Sequence, residues 1–132
     1  MITVIKSPFV QYKLTILRNK KTSNTVFRQT MNEISYLIAS DVLKYVPFKK
    51  QTIETPLKKM SGTALGQPII LVPILRAGLG LLEGFAKFLP EAEKGHIGLY
   101  RDEQTYEPVE YLFKLPRVKN KKVLILDPML AT

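Results

Sequence analysis

Apolar positions in the first 47 residues follow a helical period. Ser7-Pro8 offers a cap with proline at the first helical position, and Val10, Leu14 and Leu17 recur at helical spacing before Arg18-Asn19-Lys20. Ser23-Asn24-Thr25 offers a second cap. Behind it Phe27, Met31, Ile34, Ile38, Val42 and Tyr45 fall close to one face of a 3.6-residue helix, with Arg28, Glu33 and Lys44 elsewhere. Two helices are predicted, the second stopping before Pro47. Residues 48–68 hold short polar pieces and breakers (Thr55-Pro56, Ser61-Gly62, Gly66-Gln67-Pro68) and predict a hairpin-like connection.

The pattern then changes. Ile69–Leu75 is an almost continuous apolar run, as in a strand of a parallel sheet buried on both faces. Pro73 cannot donate to a ladder, so the strand is expected to end near it. Arg76-Ala77-Gly78 reads as a turn, and Leu81, Leu82, Phe85, Ala86 and Leu89 as a helix ending at Pro90. A strand over Gly95–Tyr100 follows, then a polar loop, Arg101–Pro108, long enough to act as a flap. Val109, Tyr111, Phe113 and Leu115 alternate with Glu110, Leu112 and Lys114, a period-two strand with one face mostly polar. Val123–Asp127 is read as another buried strand. Helices followed by strands alternating with helices define an α/β fold.

A length of 132 residues, against about 100–200 for a typical domain, allows one domain: a helical layer over 1–47 and α/β core with flap over 48–132. A parallel strand needs neighbours and a covering helix, so a chain stopping five residues after Asp127 reads as cut in the middle of a site. Such a chain is expected to expose an apolar sheet edge and to associate. The absence of cysteine excludes disulfides and thiolate metal sites, and a single histidine, His96, excludes a multi-His metal site. No apolar run approaches the ~20 residues that span a bilayer, and Met1–Pro8 lacks the pattern of a secretory signal. A cytoplasmic setting and no membrane partner are expected.

The net charge of +9 is uneven: residues 1–66 carry 11 basic and 3 acidic side chains, residues 67–132 carry 9 and 8. Such asymmetry suits an anionic partner, or simply a solvated helical layer; basic runs never exceed two residues, sparse for a nucleic-acid arm.

Three places join strand ends to charged side chains. In Pro73-Ile-Leu-Arg76-Ala-Gly-Leu-Gly80, a turn into a helix exposes N–H groups and an arginine fork suited to phosphate oxygens. It completes neither G-x-G-x-x-G nor a Walker A motif, and a solvent-facing arginine at an ordinary turn stays open. In Gly98-Leu-Tyr-Arg101-Asp102, the arginine either closes over an anion or, the favoured alternative for the residue alone, pairs with Asp102 or Glu103. In Leu126-Asp127-Pro-Met-Leu-Ala-Thr132, a carboxylate at a strand end suits sugar hydroxyls or Mg2+, or is a turn former before proline. His96, between glycines, is read as structural, and Glu107 with Glu110 as solvated charges, not a glycosidic pair.

Together, Pro73-Ile-Leu-Arg-Ala-Gly78, Gly95-His-Ile-Gly-Leu-Tyr-Arg-Asp102, Pro108-Val-Glu-Tyr111, Lys114-Leu-Pro116 and Asp127-Pro-Met-Leu-Ala-Thr132 resemble the uracil phosphoribosyltransferases in order and spacing. Pro8–Arg18 is similar to that family's first helix, with Tyr12 where histidine is common. Asp127-Pro128 is the most telling, because other type I phosphoribosyltransferases usually carry two acidic residues there.

The resemblance implies a type I phosphoribosyltransferase (Rossmann-like) fold and the reaction of uracil with phosphoribosyl pyrophosphate (PRPP) to give UMP and pyrophosphate. It implies that Arg76 and Arg101 bind PRPP, and that Asp127, Pro128, Met129, Leu130, Ala131 and Thr132 begin the PRPP loop, with Asp127 facing the ribose. Mg2+, a homo-oligomer and, in many members, activation by GTP come with it. The family's loop continues into Gly-Gly-Ser and a helix that cradles the 5′-phosphate, and a later segment reads uracil; this chain carries neither, so catalysis by these residues alone is not expected. The alternative is a non-catalytic remnant or a basic nucleotide- or RNA-binding module. RNA is disfavoured because the aromatic residues lie mainly at core-like spacing.

Overall fold

The computed structural model describes residues 2–129. Helix α1 spans Pro8–Arg18 and helix α2 Asn24–Val42. Both begin at the predicted caps: Ser7 Oγ accepts from Val10 N and Ser23 Oγ from Val26 N, each at 3.4 Å. A 3-10 turn, Leu43–Tyr45, ends the helical layer before Pro47. Strands β1 (Phe48–Glu54) and β2 (Lys59–Leu65) form the expected hairpin, antiparallel from Phe48↔Leu65 to Glu54↔Lys59. No helix or other strand among the described residues packs against it.

The main sheet is built around β3 (Ile69–Leu75), followed by α3 (Leu79–Phe88), β4 (Glu93–Lys94), β5 (His96–Arg101), β6 (Pro108–Lys114) and β7 (Lys122–Leu126). β7 runs parallel to β3 from Ile69↔Lys122 to Pro73↔Leu126. β4 and β5 lie in line beside β3, parallel to it at Ile70–Leu71 and at Ile74–Leu75, and β6 returns antiparallel on β5.

β3 does not end at Pro73; it continues to Leu75 with Pro73 buried inside it. The carbonyl of Leu71 accepts from Gly95 N and that of Pro68 from Lys122 N, so alternate residues of β3 face opposite neighbours. Residue 73 therefore faces the β4–β5 side. Pairing with β4 stops at Leu71 and pairing with β5 starts at Ile74: the N–H that would reach the Gly95 carbonyl is missing, and the ladder breaks there while β3 itself continues.

The core joins Ala39, Val46, Ile69, Leu71, Leu81, Phe85, Leu89 and Leu126. On α2 the fully buried positions are Thr30, Ile34, Ser35 and Ala39, rotated from the predicted stripe, whose ends Phe27 and Tyr45 are exposed. Small side chains turn inward because α3 comes very close. A Cβ on Gly84 would sit 2.2 Å from Ser35 Oγ, whose hydroxyl donates to the Leu81 carbonyl. β7 is less buried than predicted: Leu126 is enclosed, but Ile125 is 64% exposed. β6 is exposed at nearly every position, because the β5–β6 hairpin projects past its support on β3.

Candidate functional site

β3, β5 and β7 are parallel, so their carboxyl ends share one edge of the sheet, where open α/β sheets place ligand sites. The three predicted positions fall there. Leu75 is level with Gly98 and Pro73 with Leu126. In strand register Asp127 is thus opposite Ile74, Arg76 stands two positions higher, and Arg101 two positions beyond that, about 7 Å further along the strand direction. The site residues rise like steps across the edge, and none of the three touches another among the described residues.

The first step is a tight turn. The Leu75–Arg76 peptide bond is cis. Gly78 N donates to the Ile74 carbonyl at 2.8 Å, Leu79 N to that of Arg76 at 3.2 Å and Gly80 N to that of Ala77 at 3.1 Å. Gly78 is required by space, since its φ of −60° suits any residue. A Cβ there would lie 2.3 Å from the Leu126 carbonyl oxygen and 2.6 Å from Ile74 N. The turn is pressed onto the ends of β3 and β7, leaving Arg76 exposed with no ion pair or side-chain hydrogen bond among the described residues. Helix α3 begins without a side-chain cap and without an acidic residue in its first turn.

The second step is the flap. Arg101 does not pair with Asp102 or Glu103, the alternative favoured from sequence. Asp102 is committed to the turn: its Oδ1 accepts from Gln104 N at 2.9 Å, Thr105 N at 2.8 Å and Thr105 Oγ1 at 3.1 Å. The Thr105 N–H, then the Gln104 N–H and the Thr105 hydroxyl, hold its carboxyl below the usual aspartate range. Tyr106, at φ 59°, completes the loop by donating N–H to the Asp102 carbonyl at 3.0 Å. Arg101 is left exposed opposite Pro108, with its charge unpartnered among the described residues.

The third step is Asp127, exposed, with Oδ1 3.5 Å from Met129 N. Asp127 and Pro128 line a cleft of about 370 Å3 between β7 and the helices, and Pro128 and Met129 line an adjoining one of about 810 Å3 among the three helices. Leu130, Ala131 and Thr132 lie outside the described residues. His96 is half-buried on β5 opposite Lys114, and Glu107 and Glu110 are exposed. No group of three or more His, Cys, Asp or Glu among the described residues is placed to hold a metal. One exposed carboxylate fits Mg2+ brought in by a diphosphate, since Mg2+ commonly keeps waters and takes one or two carboxylates plus substrate phosphates.

The place of one site neighbour went unread in the sequence. Tyr111 has no partner in the β5–β6 register, which steps from Gly98↔Leu112 to Leu99↔Glu110. Its ring covers Gly98 and lies 6.1 Å from that of Tyr100. The signal was Gly98 itself, since a glycine inside a strand marks a bulge or a close approach. The expectation of aromatics at core positions also fails: Phe85 is buried, whereas Phe9, Tyr12, Phe27, Tyr45, Phe48, Phe88, Tyr100, Tyr106, Tyr111 and Phe113 are exposed. Their spacing is periodic, but their elements lie at the periphery.

A family model described as uracil phosphoribosyltransferase matches residues 4–132. Relatives named uracil phosphoribosyltransferase from Levilactobacillus brevis and Streptococcus mutans are each 47% identical over 131 residues, 98% of this chain and 63% of theirs. One from Finegoldia magna is 47% identical over 133 residues, 99% of this chain and 64% of its own. The solved structure of AQ2163 protein from Aquifex aeolicus superposes with a TM-score of 0.91 at 36% identity, covering 100% of this chain and 64% of that one. The chain therefore spans under two thirds of the length of these relatives. With the family model matched over residues 4–132 and relatives 47% identical over 98% of it, the chain belongs to the uracil phosphoribosyltransferase family.

Proposed function

We propose that this chain supplies the diphosphate-handling part of a uracil phosphoribosyltransferase, which joins uracil to PRPP in pyrimidine salvage and releases UMP and pyrophosphate. The supporting observation is the stepped carboxyl edge, where two exposed arginines, without acidic partners among the described residues, rise in turn above a strand-end carboxylate.

In the reaction N1 of uracil bonds to C1′ of the ribose while the C1′–oxygen bond breaks. The bond pair leaves with pyrophosphate, and the N1 proton passes to solvent or a base. Negative charge grows on the departing diphosphate. Arg76, held by the packed turn, and Arg101, on the flap, oppose that charge from two levels, and donors fixed in advance need no reorganisation as it develops. Asp127 accepts hydrogen bonds from the ribose hydroxyls. The flap, closed over the edge, keeps water from C1′. Mg2+, when bound with PRPP, neutralises further phosphate charge.

Homo-oligomeric assembly belongs to the same reading and is supported by the β1–β2 hairpin. A two-stranded hairpin is marginal alone in water. This one exposes Phe48, Ile53, Leu57 and Met60, and a gap of about 470 Å3 separates its base from Phe88–Ala92. A second copy would bury those side chains. No helix of the described residues is long and apolar enough to cross a membrane; cytoplasmic residence and GTP activation enter through the family alone.

The test is binding of Mg2+–pyrophosphate and Mg2+–PRPP by titration calorimetry. Arg76→Ala and Arg101→Ala are each expected to weaken binding, and in the complete enzyme to cost ~10²–10³ in turnover. Wild-type affinity and turnover in both variants refutes the assignment.

A further inference from the structure

The base of the flap is built around one contact. β5 is paired with β3 only at Ile97 and Gly98, so Gly98 is the last residue in register with β3 before the strand runs out towards Arg101. At that point β6 carries its extra residue, Tyr111. A bulge bends its strand and raises the local twist, so it sets the angle at which a hairpin leaves a sheet. The Tyr111 ring fills the space a side chain at 98 would take: a Cβ there would stand 2.5 Å from Tyr111 Cζ, 2.6 Å from Cε2 and 3.0 Å from Leu112 Cβ. Beside it, the Tyr100 ring is tilted 40° to that of Tyr111. Both tyrosines are about half exposed, so the pair is a wedge at the surface and no part of the core.

We propose that Gly98 and Tyr111 are positioning residues for Arg101: the ring seated on the glycine fixes the direction in which the flap carries the guanidinium over the diphosphate. The inference rests on the role assigned to Arg101 above and adds what aims it. Arg101 has no side-chain partner of its own among the described residues. Its direction is therefore inherited from the backbone, through Tyr100 on one side and the Asp102-locked turn on the other. From the strand side, register and bulge set it.

The glycine offers a clean perturbation. The two atoms nearest a new Cβ are the far end of an exposed ring, which can swing away, and Leu112 Cβ at 3.0 Å has to give by only a few tenths of an ångström, so Gly98→Ala displaces Tyr111 while the strand survives. A shift of ~1 Å in a binding group can cost up to ~10²-fold. Gly98→Ala and Tyr111→Ala are each expected to weaken Mg2+–pyrophosphate binding by the full chain about 10- to 100-fold. Tyr111→Phe keeps the ring and is expected to retain the affinity that Tyr111→Ala loses. The near-ultraviolet circular dichroism of the tyrosine pair should collapse in Gly98→Ala while the far-ultraviolet spectrum is unchanged. The deciding arm is the double variant: if the glycine acts through Arg101, Gly98→Ala adds less than about twofold in an Arg101→Ala background.

Wild-type affinity in Gly98→Ala, or the same loss with and without Arg101, overturns the inference. An Arg101→Ala variant that binds like the parent overturns the underlying assignment instead, so the two failures read differently.

Discussion

Gly78→Ala places a methyl group where the chain has no side chain to move aside. The new Cβ would meet the Leu126 carbonyl oxygen at 2.3 Å, Ile74 N at 2.6 Å and Ile74 O at 2.7 Å, all of them backbone atoms. Since the φ of −60° is open to alanine, the cost is purely one of space. The turn must lift by ~1 Å to restore ordinary contact, stretching the 2.8 Å bond from Gly78 N to Ile74 O. Overpacking costs ~1–3 kcal/mol and a weakened buried hydrogen bond ~1 kcal/mol more. Alanine at a helix N-cap returns nothing. A loss of ~2–4 kcal/mol is expected, which at ~3–5 °C per kcal/mol lowers the melting temperature by ~6–20 °C. Because the lifted segment carries Arg76, Mg2+–pyrophosphate affinity should fall as well, measured well below the transition. Gly80→Ala is the control: its Cβ would meet only Met31 Cγ, at 3.0 Å, the flexible part of a side chain, and stability should stay within ~0.5 kcal/mol. A Gly78→Ala protein that melts within ~2 °C of the parent and binds equally well refutes the packed-turn reasoning.

Gly84→Ala should lose ~1–3 kcal/mol in urea titrations despite alanine's helix preference of ~1 kcal/mol. Adding Ser35→Ala should not restore it, because the Ser35 backbone carbon still stands 2.7 Å from the new methyl. Acidification should open the flap turn. The Asp102 carboxyl is held below its ordinary value, so its contribution is complete above ~3.9 and is lost as pH falls through the lower folded-state value. Amide exchange at Gln104 and Thr105 reports this, and protection that stays constant down to full protonation contradicts it. Ile53→Lys with Met60→Glu, a directly paired position on the hairpin, should reduce the assembly in sedimentation velocity without changing the circular dichroism. An unchanged sedimentation coefficient places the interface elsewhere.

The elements were legible wherever one local rule was enough. Ser7 and Ser23 announce helix starts, and the apolar run 69–75 announces a central strand. The shared edge for Arg76, Arg101 and Asp127 follows from parallel strands. Part of what stayed hidden depends on partners distant in the chain, part on the shape of a single loop. The inward turn of Ser35 and Ala39 answers Gly84, nearly fifty residues away. The commitment of Asp102 to its own turn, which frees Arg101, is a matter of loop geometry that charge proximity alone misjudges. The exposed aromatics mislead for the same reason: periodicity tells which residues share a face, not whether anything covers it.

Pro73 carries a consequence for how β5 is held. A parallel strand can slide by two residues and still present the same side chains to the same face, so hydrophobic patterning does not forbid that error. Pro73 does not forbid it either: the native register already sets the Gly95 carbonyl against the pyrrolidine ring, and a strand slid by two would set the Ile97 carbonyl there instead. The ring thus breaks the ladder without choosing its register, and among the described residues the flap is hinged on β3 through Ile74 and Leu75 alone.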